Sequence, residues 1–291
     1  MISTLFAPPA PGFSERPWPP LRNALLAALE QVRPHACWGF GEVDVTTVLE
    51  LIRSRSREMR VAISLQAYVV HTLAHAAVRH PAVLTYRHGK KLVTFADADV
   101  LTTIDRHIGG HRMAAAYCVR AAQTKSLAAI NWELRRAITQ PIPDDPAIPL
   151  RRRIARLPTW GRRLVNARVR TNPHLVRRLY GTIGLTSLQS PGLNQPFWGL
   201  PPLIGTYALG LGAITDRVHL GADGQLSNRK HLCLSGAADH GVIDGMSLSL
   251  FAGELQRTLS SGAALDDALV TETRRLLAAE PLRRSRSAPA R

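Results

Sequence analysis

Near the C-terminal end the chain reads Ala238-Asp239-His240-Gly241-Val242-Ile243-Asp244-Gly245-Met246, a histidine set after one aspartate and four positions ahead of another. Histidine, with an unperturbed pKa of about 6.5, is the side chain suited to accept a proton at neutral pH. Asp244 falls close to a predicted helix start, where exposed N–H groups favour a carboxylate and where an ion pair could fix the turn. Gly245 lets the backbone turn sharply or approach another chain closely. The same residues also describe a structural histidine satisfied at a strand end, so the motif alone leaves both readings open.

The elements that must hold this motif follow from periodicity and capping signals. "HLCLSGAADH" reads as a strand running into His240, and "MSLSLFAGELQRTLSS" as the helix after Gly245. Upstream, "LRNALLAALEQV" has helical spacing and stops before Pro34, while "HACWGFGEVDV" alternates like a half-buried strand. Thr46 is placed to cap "TVLELIRSRSREM", and Ser64 to cap the apolar helix that ends before Pro81. Strands are predicted at "AVLTY", "KLVTF", "ADVLTTID" and "RMAAAYCVR", with a turn at His88-Gly89 between the first two. Ser126 then caps "SLAAINWELRRAI", and further strands lie at "TIGLTSL" and "GTYALGLGAI". This order points to an α/β two-layer sandwich with a mixed sheet rather than a doubly wound parallel one. No glycine-rich phosphate loop follows a strand, which argues against a dinucleotide fold.

The flanks of the histidine motif resemble a known family. "LSGAADHGVIDGMSLSLFAGELQRTL" is similar to the C-terminal signature of the acyltransferase components of 2-oxoacid dehydrogenase complexes, Leu-Ser-x-x-x-Asp-His-Arg-x-x-Asp-Gly followed by a helix. "PHACWGFGEVDVTTVLELIR", "VRAAQTKSLAAINWEL" and "GTIGLTSLQSPGLNQPFWGLPPLIGTYALGLGAI" resemble other segments of that family in the same order, so the likeness spans most of residues 34–260. It implies a chloramphenicol-acetyltransferase-like fold, a homotrimer or larger assembly, and active sites between subunits. It also implies His240 as general base, deprotonating a thiol or another nucleophile that attacks an acyl thioester. The oxyanion donor falls on the "GT" strand at Thr186, with Ser187 next along; neighbours on a strand face opposite ways, so only one can serve, and Thr186 is the choice. Asp244, with Gly245 and Asp239, organises the site, and Arg22 is the candidate ion partner of Asp244.

Three departures bear on the substrate. The family's arginine after the histidine is Gly241 here, and "DRHIGGHRMAAAYCVR" replaces the family's "Val-Asp-Thr-Pro-x-Gly-Leu-x-Val-Pro-Val" pattern. The resemblance places the start of this sequence in the catalytic domain, so no lipoyl domain of its own is expected. The expectation is therefore a stand-alone acyltransferase using a coenzyme A thioester as co-substrate, or an acyl carrier, with no tightly bound cofactor. Its rival is a non-catalytic trimeric scaffold that binds a membrane or partner protein.

Composition bounds the rest. The 291 residues, 45% hydrophobic and 20% charged, describe a globular protein with an N-terminal arm to about residue 20, a catalytic domain over 21–270 and a disordered tail over 280–291. There is no signal-peptide pattern and no uninterrupted apolar span. Cys37, Cys118 and Cys233 lack the spacing of a disulfide framework or zinc site, which fits a reducing, cytoplasmic setting. His71 and His75 share a helix face but have no carboxylate or cysteine beside them in sequence, so the expectation is no metal.

The charge is unusual. The formal net charge is +16, 33 of the 37 basic residues are arginine, and no acidic residue occurs from Pro146 to Thr215. Ten arginines fall between Arg151 and Arg178, in an insertion at about 146–180 relative to the family. Leu150, Ile154, Leu157, Leu164 and Val165 have near-helical spacing there, and Pro158 and Gly161 predict a break into two helices. Such a basic pair with Trp160 suits packing on the domain or a neighbouring subunit, or an anionic membrane surface and so a peripheral location. No nucleic-acid motif or aromatic platform supports nucleic acid as the partner.

Overall fold

Alternation of side chains in Ala36–Asp44 makes strand β1, which lies antiparallel along β8 (Leu226–Asp239) from Ala36↔Asp239 to Asp44↔His231. The structure, a computed structural model, describes residues 35–108, 111–139, 147–189, 193 and 195–279. Between these two strands and the chain's middle come β2 (Thr85–His88), β3 (Lys91–Thr94), β4 (Val100–Ile108), β5 (His111–Val119), β6 (Ile183–Ser187) and β7 (Tyr207–Leu220). Six strands form one mixed sheet in the order β1-β8-β7-β6-β4-β5, with β4–β6 and β6–β7 parallel and the remaining pairs antiparallel. The β2–β3 hairpin stands apart from it and turns at Gly89-Lys90, one residue later than expected, because His88 pairs with Lys91 as the last residue of β2.

The described helices, in chain order, are α1 (Thr46–Met59), α2 (Leu65–Arg79), α3 (Leu127–Thr139), α4 (Ala147–Arg156), α5 (Thr159–Arg170), α6 (Pro173–Tyr180), α7 (Gly245–Ser261) and α8 (Asp267–Ala279). Helices α1, α2, α3, α7 and α8 bury their apolar faces in one core with the sheet. Helix α2 is its centre, with Ala67, Tyr68, Val69, Val70 and Leu73 all buried. Phe251 of α7 is fully buried and meets the Tyr207 ring edge-on at 4.9 Å. The expected two-layer α/β sandwich with a mixed sheet is present.

Local differences from the sequence reading have identifiable causes. Ser64 and Ser126 do accept the N–H groups of Ala67 and Ala129, at 3.0 and 3.1 Å. Thr46 is not a cap but the first residue of α1. Its N–H and hydroxyl both donate to Asp44 Oδ1, at 2.9 and 2.6 Å, so the carboxylate two residues earlier satisfies the orphan donor. The strand expected at "AVLTY" begins only at Thr85, because Pro81–Leu84 form a 3₁₀ turn. Helix α8, which was not anticipated, buries Leu269 and Val270 in the main core. The first predicted helix and Arg22 lie outside the described residues.

The arginine-rich insertion folds as three helices, not two. Pro158 precedes α5, but Gly161 lies within it, and the second interruption comes at Asn172, which caps α6 while Pro173 occupies its first turn. Ile154, Val169, Val176 and Leu179 bury against Tyr86 and Phe95 at the β2–β3 hairpin, making a second, smaller core.

Asp99 holds this second core to the sheet. Its side chain is 4% exposed, and Oδ2 accepts from Arg177 Nε at 2.9 Å while Oδ1 accepts the Ala121 N–H at 2.8 Å. Arg120 donates to the carbonyls of Arg177 and Arg178, both at 2.7 Å, and so closes the last turn of α6. The next residue, Gly181, has φ 74°, and a Cβ there would stand 2.4 Å from the Asp99 carbonyl oxygen, so only glycine fits. Asp99→Ala removes these charge-assisted bonds, although Arg177 and Arg120 stay about one-third exposed and Arg177 keeps Asp97. It is expected to cost about 2 kcal/mol in urea unfolding. Limited proteolysis should then cut first between residues 147 and 180.

Candidate functional site

His240 directly follows the last residue of β8, and its N–H donates to the His35 carbonyl at 3.0 Å. The paired strands β1 and β8 thus fix the backbone from which the exposed imidazole projects. The turn after it is built by Asp239. One carboxylate oxygen accepts the Gly241 N–H at 3.0 Å, and the carbonyl accepts Val242 and Ile243 at 2.9 and 3.0 Å. Asp239 is therefore engaged with its own turn.

Asp244 is the N-cap of α7. Its side chain accepts from the Ser247 N–H at 2.7 Å and from the Ser247 hydroxyl at 3.2 Å. The backbone hydrogen bond from Ser247 is the main reason its carboxyl lies below the ordinary value of 3.8. The expected role in organising the loop takes the form of a helix cap, and the two aspartates that flank His240 both spend carboxylate oxygens on backbone N–H groups. Gly245 opens the helix without a positive φ, and a Cβ on it would meet nothing within 4 Å. No sharp turn within this chain requires glycine there.

Thr186 and Ser187 sit near the end of β6. Thr186 pairs with Gly210, which pairs with Ser235 of β8, so these three residues form one row across the sheet. Ile183 and Leu185 point into the helical core, and Ser187 shares their side by alternation. Thr186 faces the opposite side, and its hydroxyl makes no hydrogen bond among the described residues. That face is crossed by the segment Phe197–Leu203, held by the Ser235 hydroxyl donating to the Gly199 carbonyl and by the Trp198 indole N–H donating to the Gly41 carbonyl at 3.1 Å. Gly210 leaves room for it, since a Cβ there would lie 2.9 Å from the Gly199 oxygen. Ser235 was not singled out from sequence; its place in the Leu-Ser pair ahead of the histidine was the available signal.

Thr186 and His240 do not meet within one chain. His240 lies five positions beyond Ser235, and Thr186 lies two strands across from Ser235. At about 3.3 Å per residue along the strand and about 4.8 Å per strand across it, the two Cα atoms are roughly 19 Å apart.

The histidine pair on α2 is a structural feature. The His71 and His75 rings stand 4.2 Å apart, and His75 Nδ1 lies 2.9 Å from the His71 carbonyl oxygen. Burial, with His75 alongside, pushes His71 down to about 4. Among the described residues no group of three or more His, Cys, Asp or Glu side chains is placed to hold a metal ion. No described helix is long and apolar enough to cross a membrane.

Residues 204–265, which include β7, β8, His240 and most of α7, match the sequence model of the acyltransferase catalytic domain of the 2-oxoacid dehydrogenases. No curated protein matches the sequence significantly. The fold is shared with a probable dihydrolipoamide acetyltransferase of Listeria monocytogenes 4b F2365, at 18% identity over 86% of this chain and 95% of that one, with a TM-score of 0.59. It is shared likewise with the Azotobacter vinelandii dihydrolipoamide acetyltransferase, at 16% identity over 89% and 98% and a TM-score of 0.62. In that enzyme the catalytic roles of a serine, a histidine and an asparagine four positions after the histidine have been investigated. A truncated catalytic core of the 2-oxoacid dehydrogenase complex of Thermoplasma acidophilum is similar at 17% identity over 86% and 99%, with a TM-score of 0.57.

The cap geometry generates a test. A carboxyl with a lowered folded pKa stabilises the protein above its unfolded value, and this contribution disappears as pH falls through the folded value. Asp244→Ala should therefore melt below the wild type at pH 7. The gap should close as the pH drops past 3.8 and on through the still lower folded pKa, as followed by circular dichroism. Asp244→Ser, which keeps a capping oxygen, should retain most of the helix stability.

Proposed function

From a chain that carries the 2-oxoacid dehydrogenase acyltransferase signature on the fold of those catalytic cores, we propose an acyltransferase that works between copies of itself, with His240 from one and Thr186 from another. The observation that carries this reading is the pair of unengaged groups. His240 projects from a rigid strand end with both neighbouring carboxylates committed elsewhere, and the Thr186 hydroxyl, without a partner among the described residues, lies about 19 Å away in the same chain. A second copy is needed to bring them to one acyl group. Gly245, which nothing within its own chain crowds, leaves room for such an approach.

In the proposed reaction, neutral His240 takes the proton from an acceptor thiol. The thiolate then attacks the carbonyl carbon of an acyl thioester, a coenzyme A thioester in this reading. A new C–S bond forms while the carbonyl electron pair moves to oxygen. The Thr186 hydroxyl donates a hydrogen bond to that oxyanion. Collapse of the tetrahedral species restores the carbonyl and breaks the donor C–S bond, and His240 returns its proton to the departing thiolate. Asp244 and Asp239 act through the backbone by holding the turn that aims the imidazole. The investigation of a histidine and of a residue four positions later in the Azotobacter enzyme supports giving weight to His240 and Asp244.

Coenzyme A release from a panel of acyl-CoAs with small thiols as acceptors tests the chemistry. His240→Ala should lower the rate about 10²–10⁴-fold, and Thr186→Val about 10²–10³-fold. If the site is shared between copies, dissociating and reassembling the two inactive variants together should recover about a quarter of the wild-type rate, the share of interfaces that pair both intact residues. Full inactivity of the mixture, with each variant assembled normally, would rule out the shared site.

A further inference from the structure

Helix α5 has two apolar stripes, and the second core uses only one of them. Val165 and Val169 face inward with the buried Gly161 and Asn166. Spaced half a turn away by the 100° step of an α-helix, Trp160, Leu164 and Ala167 face outward, with Trp160 74% and Leu164 69% exposed. On the same helical wheel Arg163 flanks this stripe on one side and Arg168 on the other, both exposed. The end of α4 adds exposed Arg153 and Arg156 next to Leu157. Since the inward stripe already fixes the helix, the outward one is not needed to hold the insertion together.

We propose that this outward face of α5 docks on an anionic lipid surface, with the helix axis lying in the membrane plane. A tryptophan and a leucine at the middle of an exposed face leave apolar area in water, and the arginines at both margins stand where lipid phosphates lie when those two side chains enter the interface. Tryptophan suits that depth because its ring is apolar while its N–H stays hydrated. Charge complementarity selects the occupant. A second copy of the chain is strongly basic overall, and two such faces would repel each other. Nucleic acid would satisfy the arginines but offers the Trp160–Leu164 ridge no apolar bed. The proposal is independent of acyl transfer and stands if that reading fails.

The test is sedimentation of the full chain with vesicles of equal parts phosphatidylglycerol and phosphatidylcholine, against phosphatidylcholine alone, at about 0.1 M salt. Binding is expected to the anionic vesicles only. It should fall about tenfold or more in Trp160→Ala/Leu164→Ala and similarly in Arg163→Gln/Arg168→Gln. Both pairs are exposed, so the far-ultraviolet spectrum and melting point should stay those of the wild type. As a check that survives any folding defect, brominated lipid should quench the wild-type tryptophan emission, and Trp160→Phe should remove that quenching. Undiminished binding by Trp160→Ala/Leu164→Ala would overturn the proposal, because bulk charge alone would then explain the association. Binding to duplex DNA or to an acidic protein without any binding to the anionic vesicles would overturn it as well.

Discussion

The antiparallel ladder between β1 and β8 is the constraint on which most of this structure rests. All nine residues of β1 pair with β8 in continuous register, and β7 pairs along the other edge of β8. Because side chains alternate along a strand, a slip of one residue would turn Leu232 and Leu234 out of the helical core and Cys233 and Ser235 into it. The register is therefore held by the burial of the whole sheet face. The same register holds His240 at the end of β8 with its N–H against the His35 carbonyl, while the β7–β8 and β6–β7 pairings align Ser235 with Thr186 through Gly210. Stability and the geometry of the candidate site share the strand β8.

The two faces of the sheet serve different ends. One is filled by five helices and contributes most of the buried apolar area. Among the described residues the other is crossed by the segment from Phe197 to Leu203, and Trp38 and Phe40 of β1 are exposed. Thr186 belongs to this second face. Thr186 on this face and His240 at the end of β8 therefore stand apart within one chain.

The arginines divide in a comparable way. Arg120 and Arg177 are spent inside the protein, on Asp99, Asp97 and the carbonyls that end α6, and Arg177 also covers the Phe95 ring at 5.1 Å. Others, such as Arg163 and Arg168, stay in solvent on the far side of the same insertion. Charge count alone cannot separate these two uses, since they follow from which face of each helix meets the β2–β3 hairpin.

Much of the architecture was legible in the sequence. The alternation of "HACWGFGEVDV", the serine caps at Ser64 and Ser126, and the strand-to-helix junction at His240 are local signals that the fold preserves. Tertiary structure decided what local rules cannot express. Asp44, through its side chain, displaced Thr46 from the expected capping role. Gly161 stayed helical and buried within α5 despite its weak helix propensity. Sequence named His240, Asp244 and Thr186 as a set, but their types and spacing carry no distances. Only the register of β6, β7 and β8 separates Thr186 from His240, because strand order, unlike helix period or capping, is set by long-range burial and hydrogen bonding that no short stretch of chain contains.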